Sequence, residues 1–148
     1  MKNKSTRLQK TQLQLIDLTM PLNSTTPAYP GDSKIEIKQI DFKEKIVLFY
    51  TGQSEKSYEN YYEGAKFISE EVAHELVRRK VKAIGIDAFS PDTEPYPIHK
   101  ILLPANILII ENLVNLKALL GKRFTVHYFP LKISGGDGAP CRAVAFVE

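Results

Sequence analysis

The chain has 148 residues, 43% of them hydrophobic and 25% charged, with a net charge of +3 and one cysteine. That length fits one domain able to bury roughly two thirds of its unfolded surface, and the composition is that of a globular protein. No apolar run approaches the roughly 18 residues of a membrane span, and Cys141 is the lone cysteine, which excludes an intrachain disulfide and a cysteine-rich zinc site.

The basic excess is local. Residues 1–12 carry Lys2, Lys4, Arg7 and Lys10 and no acidic residue, whereas the rest of the chain holds 16 basic and 17 acidic side chains. Such a segment either touches an anionic surface or is a solvated, disordered basic tail, and the tail is the expectation here. Basic residues with interleaved aromatics do not recur downstream, so no nucleic-acid partner is expected. The first residues contain no apolar leader. Together with the lone thiol, this sets the expectation of a cytoplasmic protein with no membrane partner. Residues 13–148 read as a single domain without repeats or a linker.

In chain order, Leu13 to Ile16 forms a first short strand. Met20 to Asp32 is punctuated by Pro21, Pro27, Pro30 and Gly31, the mark of a loop. Ile35 to Ile40 alternates apolar and polar residues, the pattern of a half-buried strand. After the charged connection Asp41 to Lys45, the run Ile46 to Thr51 suits a strand covered on both faces. The polar, tyrosine-rich stretch Gly52 to Gly64 reads as a loop or lid. Ser69 is a good N-cap, Glu70 and Glu71 favour the first turn, and Val72, Ala73, Leu76 and Val77 recur at helical spacing. These features predict a helix over Ser69 to Arg79, followed by a buried strand over Val81 to Asp87. Strand, helix and strand at these distances predict a parallel crossover.

Pro91 to Pro97 reads as a loop leading into Ile98 and His99, and Ile107 to Ile110 as the most apolar strand, ended by Glu111. Leu113, Leu116, Leu119 and Leu120 suggest a short helix stopped by Gly121. Two last strands, Thr125 to Pro130 and Arg142 to Val147, flank the loop Gly135 to Gly138. The whole predicts an α/β fold, a mixed sheet with flanking helices.

A carboxylate at the end of so apolar a strand needs a cation, solvent or a helix N-terminus beside it. For Glu111 the helix alternative would begin at Asn112. His99 is either a structural or exposed histidine or a ligand. His74, beside the apolar stripe of the helix, and His127, in a late strand, read as structural. Asp17 and Asp87 stand where local turn bonding would occupy them. The glycines at 135, 136 and 138 let backbone amides approach an anion, and Arg142 can pair a carboxylate. An ordinary strand-entry loop is the alternative.

Several segments together resemble the putative cyclase family of metal-dependent amidohydrolases related to bacterial kynurenine formamidase. They are Asp17-Leu-Thr-Met-Pro-Leu22, Tyr29-Pro-Gly-Asp32, Ile46 to Gly52, Gly85-Ile-Asp-Ala-Phe-Ser-Pro-Asp92 and Gly138-Ala-Pro-Cys-Arg-Ala-Val-Ala145. His99 and Glu111, twelve positions apart, complete the set. The resemblance implies a swivelling β/β/α architecture with some strands missing. It implies metal ligation by His99 and Glu111, with zinc or manganese as the divalent ion. It also places Gly136 and Arg142 near bound substrate, a small amide or formamide cleaved by metal-activated water.

The chain departs from the family in one respect that bears on every functional residue. The family's His-x-Gly-Thr-His-x-Asp-x-Pro-x-His element is absent. Relatives carry several tens of additional residues between the two strands that end at Ile40 and begin at Ile46. That stretch supplies further metal ligands, the general acid/base histidine and sheet strands, so no catalytic residue is assigned in this chain. Its loss implies exposed core surface and hence a homo-oligomer. Two functional readings follow: a hydrolase impaired in the isolated chain, or an inactive relative acting as a binding or assembly protein.

Overall fold

The computed structural model describes residues 14–19 and 46–148. The expected basic tail 1–12, the loop Met20 to Asp32 with Tyr29, and the strand Ile35 to Ile40 lie outside the described residues.

The described residues form three layers. The middle one is a parallel sheet of β2 (Ile46–Phe49), β3 (Ala83–Ile86) and β4 (Leu108–Ile110), in the order β2-β3-β4. The helices α1 (Glu70–Arg78) and α2 (Pro97–Leu102) cover one face. Val47, Phe49, Ile84 and Ile86 pack there against Ala73, Leu76, Ile98 and Leu102 in one continuous cluster. The other face meets an antiparallel sheet, β1 (Gln14–Asp17), β6 (Cys141–Val147) and β5 (Phe124–Pro130), in the order β1-β6-β5. Its inward residues Ile16, Ala143, Ala145 and Val147 join Ile110, Leu113 and Leu116, with Ile46 and Leu48 packed against them. This is an α/β fold of two β layers and one helical layer. Among the described residues, parallel and antiparallel pairing are divided between two sheets.

The local reasons match the sequence patterns. Ser69 caps α1 by accepting a hydrogen bond from the Val72 amide at 3.3 Å, and α1 carries β2 across to a parallel β3 with Ile46 opposite Ala83. β2 sits between both cores, Val47 and Phe49 facing one and Ile46 and Leu48 the other. Gly85 allows the sheets to close: a Cβ there would lie 2.6 Å from both Leu113 Cδ1 and Leu48 Cδ2. On the antiparallel sheet, Phe124, Val126 and Tyr128 face inward while Thr125, His127 and Phe129 are exposed, the period-two alternation of a one-sided sheet.

Three local expectations are corrected. The loop expected from Pro91 ends at Tyr96, and the residues it leads into form a helix that carries His99, α2, with Pro97 in its first turn and Ile98 and Leu102 buried. Proline suits that position because its missing N–H would be unpaired there anyway. The expected helix after Glu111 is only a 3-10 turn, Leu116–Leu119, because Asn112 and Asn115 adopt left-handed φ of 57° and 61° and break a regular start. Finally, the stretch Gly52 to Gly64 contains two 3-10 turns anchored to the core. Gln53 is buried with its amide on the Tyr61 carbonyl, and Tyr61 packs among Tyr62, Phe67 and Phe89.

Candidate metal centre

The carboxyl ends of the parallel strands gather the polar residues of interest, which is where open α/β sheets place their ligands. Glu111 follows β4, and His99 comes from α2. The His99 Nε2 atom lies 3.5 Å from Glu111 Oε1, and the two side chains are 28% and 33% exposed. With Asn112 in the left-handed region, no helix N-terminus begins beside Glu111 to account for its charge.

The other face of the imidazole is fixed by a residue whose role spacing alone does not reveal. His99 Nδ1 is 2.6 Å from Asp92 Oδ1. The second oxygen of Asp92 accepts the Ile98 amide at 2.6 Å and the His99 amide at 3.1 Å. Asp92 is almost fully buried, so its charge is held by these donors in place of water. The chain therefore brings together Asp92, His99 and Glu111, with the imidazole between two carboxylates. Contact with Glu111 raises the His99 pKa most; burial opposes the shift and Asp92 adds to it. The edge of Tyr96 meets the ring at a centroid distance of 5.9 Å.

Asp87, at the end of β3, is fully buried and locks the neighbouring loop. It accepts the Thr51 amide at 2.6 Å, the Gly52 amide at 2.9 Å and the Ser54 hydroxyl at 3.2 Å. Tyr61 donates its hydroxyl to Asn112 Oδ1 at 2.7 Å, next to Glu111. Burial holds the Tyr61 phenol above its ordinary range, with Tyr62 and the carboxylates of Asp87 and Glu111 adding.

Glu111 also borders a cleft of about 930 Å³ between β4 and the β5–β6 hairpin. Gly136 and Arg142 line the same cleft, together with Leu108, Phe129, Leu131 and Ile133. Arg142 already has a carboxylate: its Nη2 lies 2.7 Å from Asp17 Oδ2, with both side chains well exposed. Asp17 in addition accepts the Thr19 amide at 3.0 Å, the local turn bond expected of it. Gly136 sits in a tight turn, where a Cβ would lie 3.2 Å from the Gly138 carbonyl oxygen. His74 and His127 are exposed and remote from this group, His127 against the Phe146 ring. Among the described residues no three histidine, cysteine, aspartate or glutamate side chains are grouped to hold a metal ion.

Fold and site together define a β/β/α protein with a histidine–carboxylate pair at the carboxyl edge of its parallel sheet. Residues 34–93 match the pattern of the Putative cyclase family. It is 39% identical over 104 residues, 69% of this chain and 54% of the relative, to an uncharacterized protein of Methanocaldococcus jannaschii. It is also 35% identical over 101 residues to a kynurenine formamidase of Salinibacter ruber, covering 66% of this chain and 47% of that enzyme. The chain thus spans about half the length of the curated relatives it matches. In fold it is similar to a structure described as a predicted metal-dependent hydrolase from Bacillus stearothermophilus. The TM-score is 0.76 at 21% identity, over 92% of this chain and 99% of that one.

Proposed function

We propose that this chain carries a two-donor part of a metal-dependent hydrolase centre, with His99 Nε2 and Glu111 Oε1 as the donors. The observation behind this reading is their 3.5 Å convergence at the sheet edge, with the opposite imidazole nitrogen already engaged by a carboxylate. An imidazole nitrogen and a carboxylate oxygen suit zinc or manganese, and metal-ligating histidines usually give their other nitrogen to such a partner. When bound, a divalent cation supplies Lewis acidity that polarises a carbonyl and acidifies water.

The chain's own residues supply positioning. The cleft beside Glu111 is large enough for a small amide or formamide, the substrate class suggested by the kynurenine formamidase relative. Its apolar walls, Leu108, Phe129 and Leu131, offer apolar contact to a bound molecule. Gly136 and Arg142 lie on its rim, and Arg142 must release Asp17 before it can take a substrate carboxylate. A cytoplasmic setting agrees with the unpaired thiol of Cys141.

Two donors are fewer than the three or more of a catalytic zinc site. The chain's remaining histidines, His74 and His127, are exposed elsewhere. We therefore assign the missing donors to a second copy, in a homo-oligomer. Leu108, Phe129, Leu131 and Ile133, each at least half exposed beside the cleft, support such an interface. The absence of a third donor among the described residues favours a second reading, a scaffold that binds or assembles without turnover. Hydrolysis of a simple aryl formamide with added zinc or manganese, followed alongside size-exclusion chromatography, decides between them. Turnover confined to the oligomer fits the shared centre, whereas an assembled, metal-loaded and inactive protein fits the scaffold. Metal-dependent turnover by a monomer would contradict both.

A further inference from the structure

We infer that β5 is the contact strand of a symmetric dimer, pairing antiparallel with β5 of a second copy so that two three-stranded sheets become one. The phase of its hydrogen bonds carries this. The Leu131 amide donates to the Pro140 carbonyl at 3.0 Å, and the Glu148 amide to the Arg123 carbonyl at 3.1 Å. Both pairs continue the register of β5 with β6, in which Phe124 lies opposite Val147 and Pro130 opposite Cys141. Backbone bonds alternate in side along an antiparallel strand. Thr125, His127 and Phe129 therefore bond to β6, and the N–H and C=O groups of Phe124, Val126 and Tyr128 point the other way. β5 ends its sheet, and among the described residues these groups have no backbone partner. Pro130 falls in the same outward set, where its missing N–H breaks no bond to β6.

The other strands that end a sheet are short: β1 and β2 have four residues and β4 has three, whereas β5 has seven. Natural edges are commonly guarded by lysine, an inward charge, a bulge or an internal proline. From Phe124 to Phe129 the strand carries no lysine, carboxylate or proline, and its register with β6 runs without a bulge. A second copy is the occupant such an edge favours, because the strand is complementary to itself. With a twofold axis at Val126, that residue pairs with Val126 of the partner subunit and Phe124 with Tyr128 of the partner subunit, each pair exchanging both its bonds. An axis at His127 would instead set Phe124 against Pro130 of the partner subunit, which has no N–H to give. The exposed Phe129, Leu131 and Ile133 extend from the same strand, so the contact is continuous with the apolar surface assigned to the interface above. Tyr128, Phe129 and Pro130 also line the cleft beside Glu111, so the paired strands set both clefts beside one axis. The inference names the contact that brings in the second copy, and it rests on the metal reading only for the use made of that copy.

In this register Thr125 lies opposite His127 of the partner subunit, and both side chains are exposed in the single chain. Thr125→Lys with His127→Lys sets like charges against each other across the axis, whereas Thr125→Glu with His127→Lys sets opposite charges there. Sedimentation equilibrium of the zinc-free full chain is expected to show a dimer for the wild type and a monomer for the double-lysine variant. The variant with opposite charges is expected to return to a dimer. Amide hydrogen exchange by NMR tests the wild type without substitution, and decides alone should the variants fail to fold. The Phe124, Val126 and Tyr128 amides are expected to be protected at high protein concentration and to lose that protection on dilution, while Thr125 and His127 stay protected. A dimer that tolerates the paired lysines, or leaves those three amides exchanging freely, overturns the inference and moves the second copy to another surface. A monomer at every concentration overturns both the contact and the shared centre. A dimer that behaves as expected but binds no zinc upholds the contact and sinks the metal reading.

Discussion

The carboxyl edge of the parallel sheet and the turn between β5 and β6 both supply candidate site residues, but they are built on different principles. At the sheet edge, Asp87 and Asp92 are buried and each gathers backbone amides, so the segments that carry His99 and Thr51 are tied to the core. Gly136 stands in an exposed turn and Arg142 at the start of β6, where its charged anchor is the solvent-facing pair with Asp17. Buried carboxylates that satisfy amides fix geometry, because removing them strands donors away from water. Exposed ion pairs fix little. The first region is therefore a preorganised arrangement, while the second is an adjustable rim.

Removing Asp87 attacks the first region hardest. Asp87→Ala leaves the Thr51 and Gly52 amides without their partner and should cost roughly 3 kcal/mol, read as a lower urea midpoint at unchanged slope. A loss below about 1 kcal/mol would mean that water or another group satisfies these amides as well as the carboxylate does. In the second region, Arg142→Ala is expected to cost no more than about 1 kcal/mol, since the pair with Asp17 is solvent-screened. It should leave metal affinity untouched. A large loss of either would erase the contrast.

The smallest effect concerns a pair that belongs to neither region and serves as a reference for surface charge. Glu75 lies between Arg78 and Arg79, whose hydrogen bonds lower its pKa to about 2. A lowered carboxylate stabilises above its unfolded value and loses that contribution as pH falls through the folded one. Thermal melts of Glu75→Gln should therefore converge with those of the wild type between about pH 4.5 and 2 and differ slightly above that window. Divergence on acidification would contradict the pairing.

How much of this was legible in the sequence depends on the range of the signal. The helix over Glu70–Arg78 and the parallel crossover were readable because capping at Ser69 and the spacing of Ala73 and Leu76 are local patterns. The helix that carries His99 was missed, although Pro97 with Ile98 and Leu102 at helical spacing is a usable sign. Its N-cap, Tyr96, sits at a left-handed φ of 60°, which is uncommon for a tyrosine and hid the start. The short helix expected after Glu111 forms only as a 3-10 turn over Leu116–Leu119, for a related reason: Asn112 and Asn115, residues that tolerate left-handed backbone, break a regular start. His99 and Glu111 were named from the resemblance, not from periodicity. Their approach depends on β4 lying beside β3, a pairing between distant segments that no local window reports. The partnership of Asp92 with His99 is also tertiary, since it requires the chain to turn between Ser90 and Pro97.

The central claim is that His99 and Glu111 act together on one cation. The most direct measurement is calorimetric titration of the purified chain with zinc, beside His99→Ala and Glu111→Ala. The account predicts saturable binding, at one zinc per chain or per dimer, that is lost in both variants. Binding that is indifferent to both substitutions, or no binding tighter than millimolar, would contradict it and leave the pair as a carboxylate-held histidine without a metal.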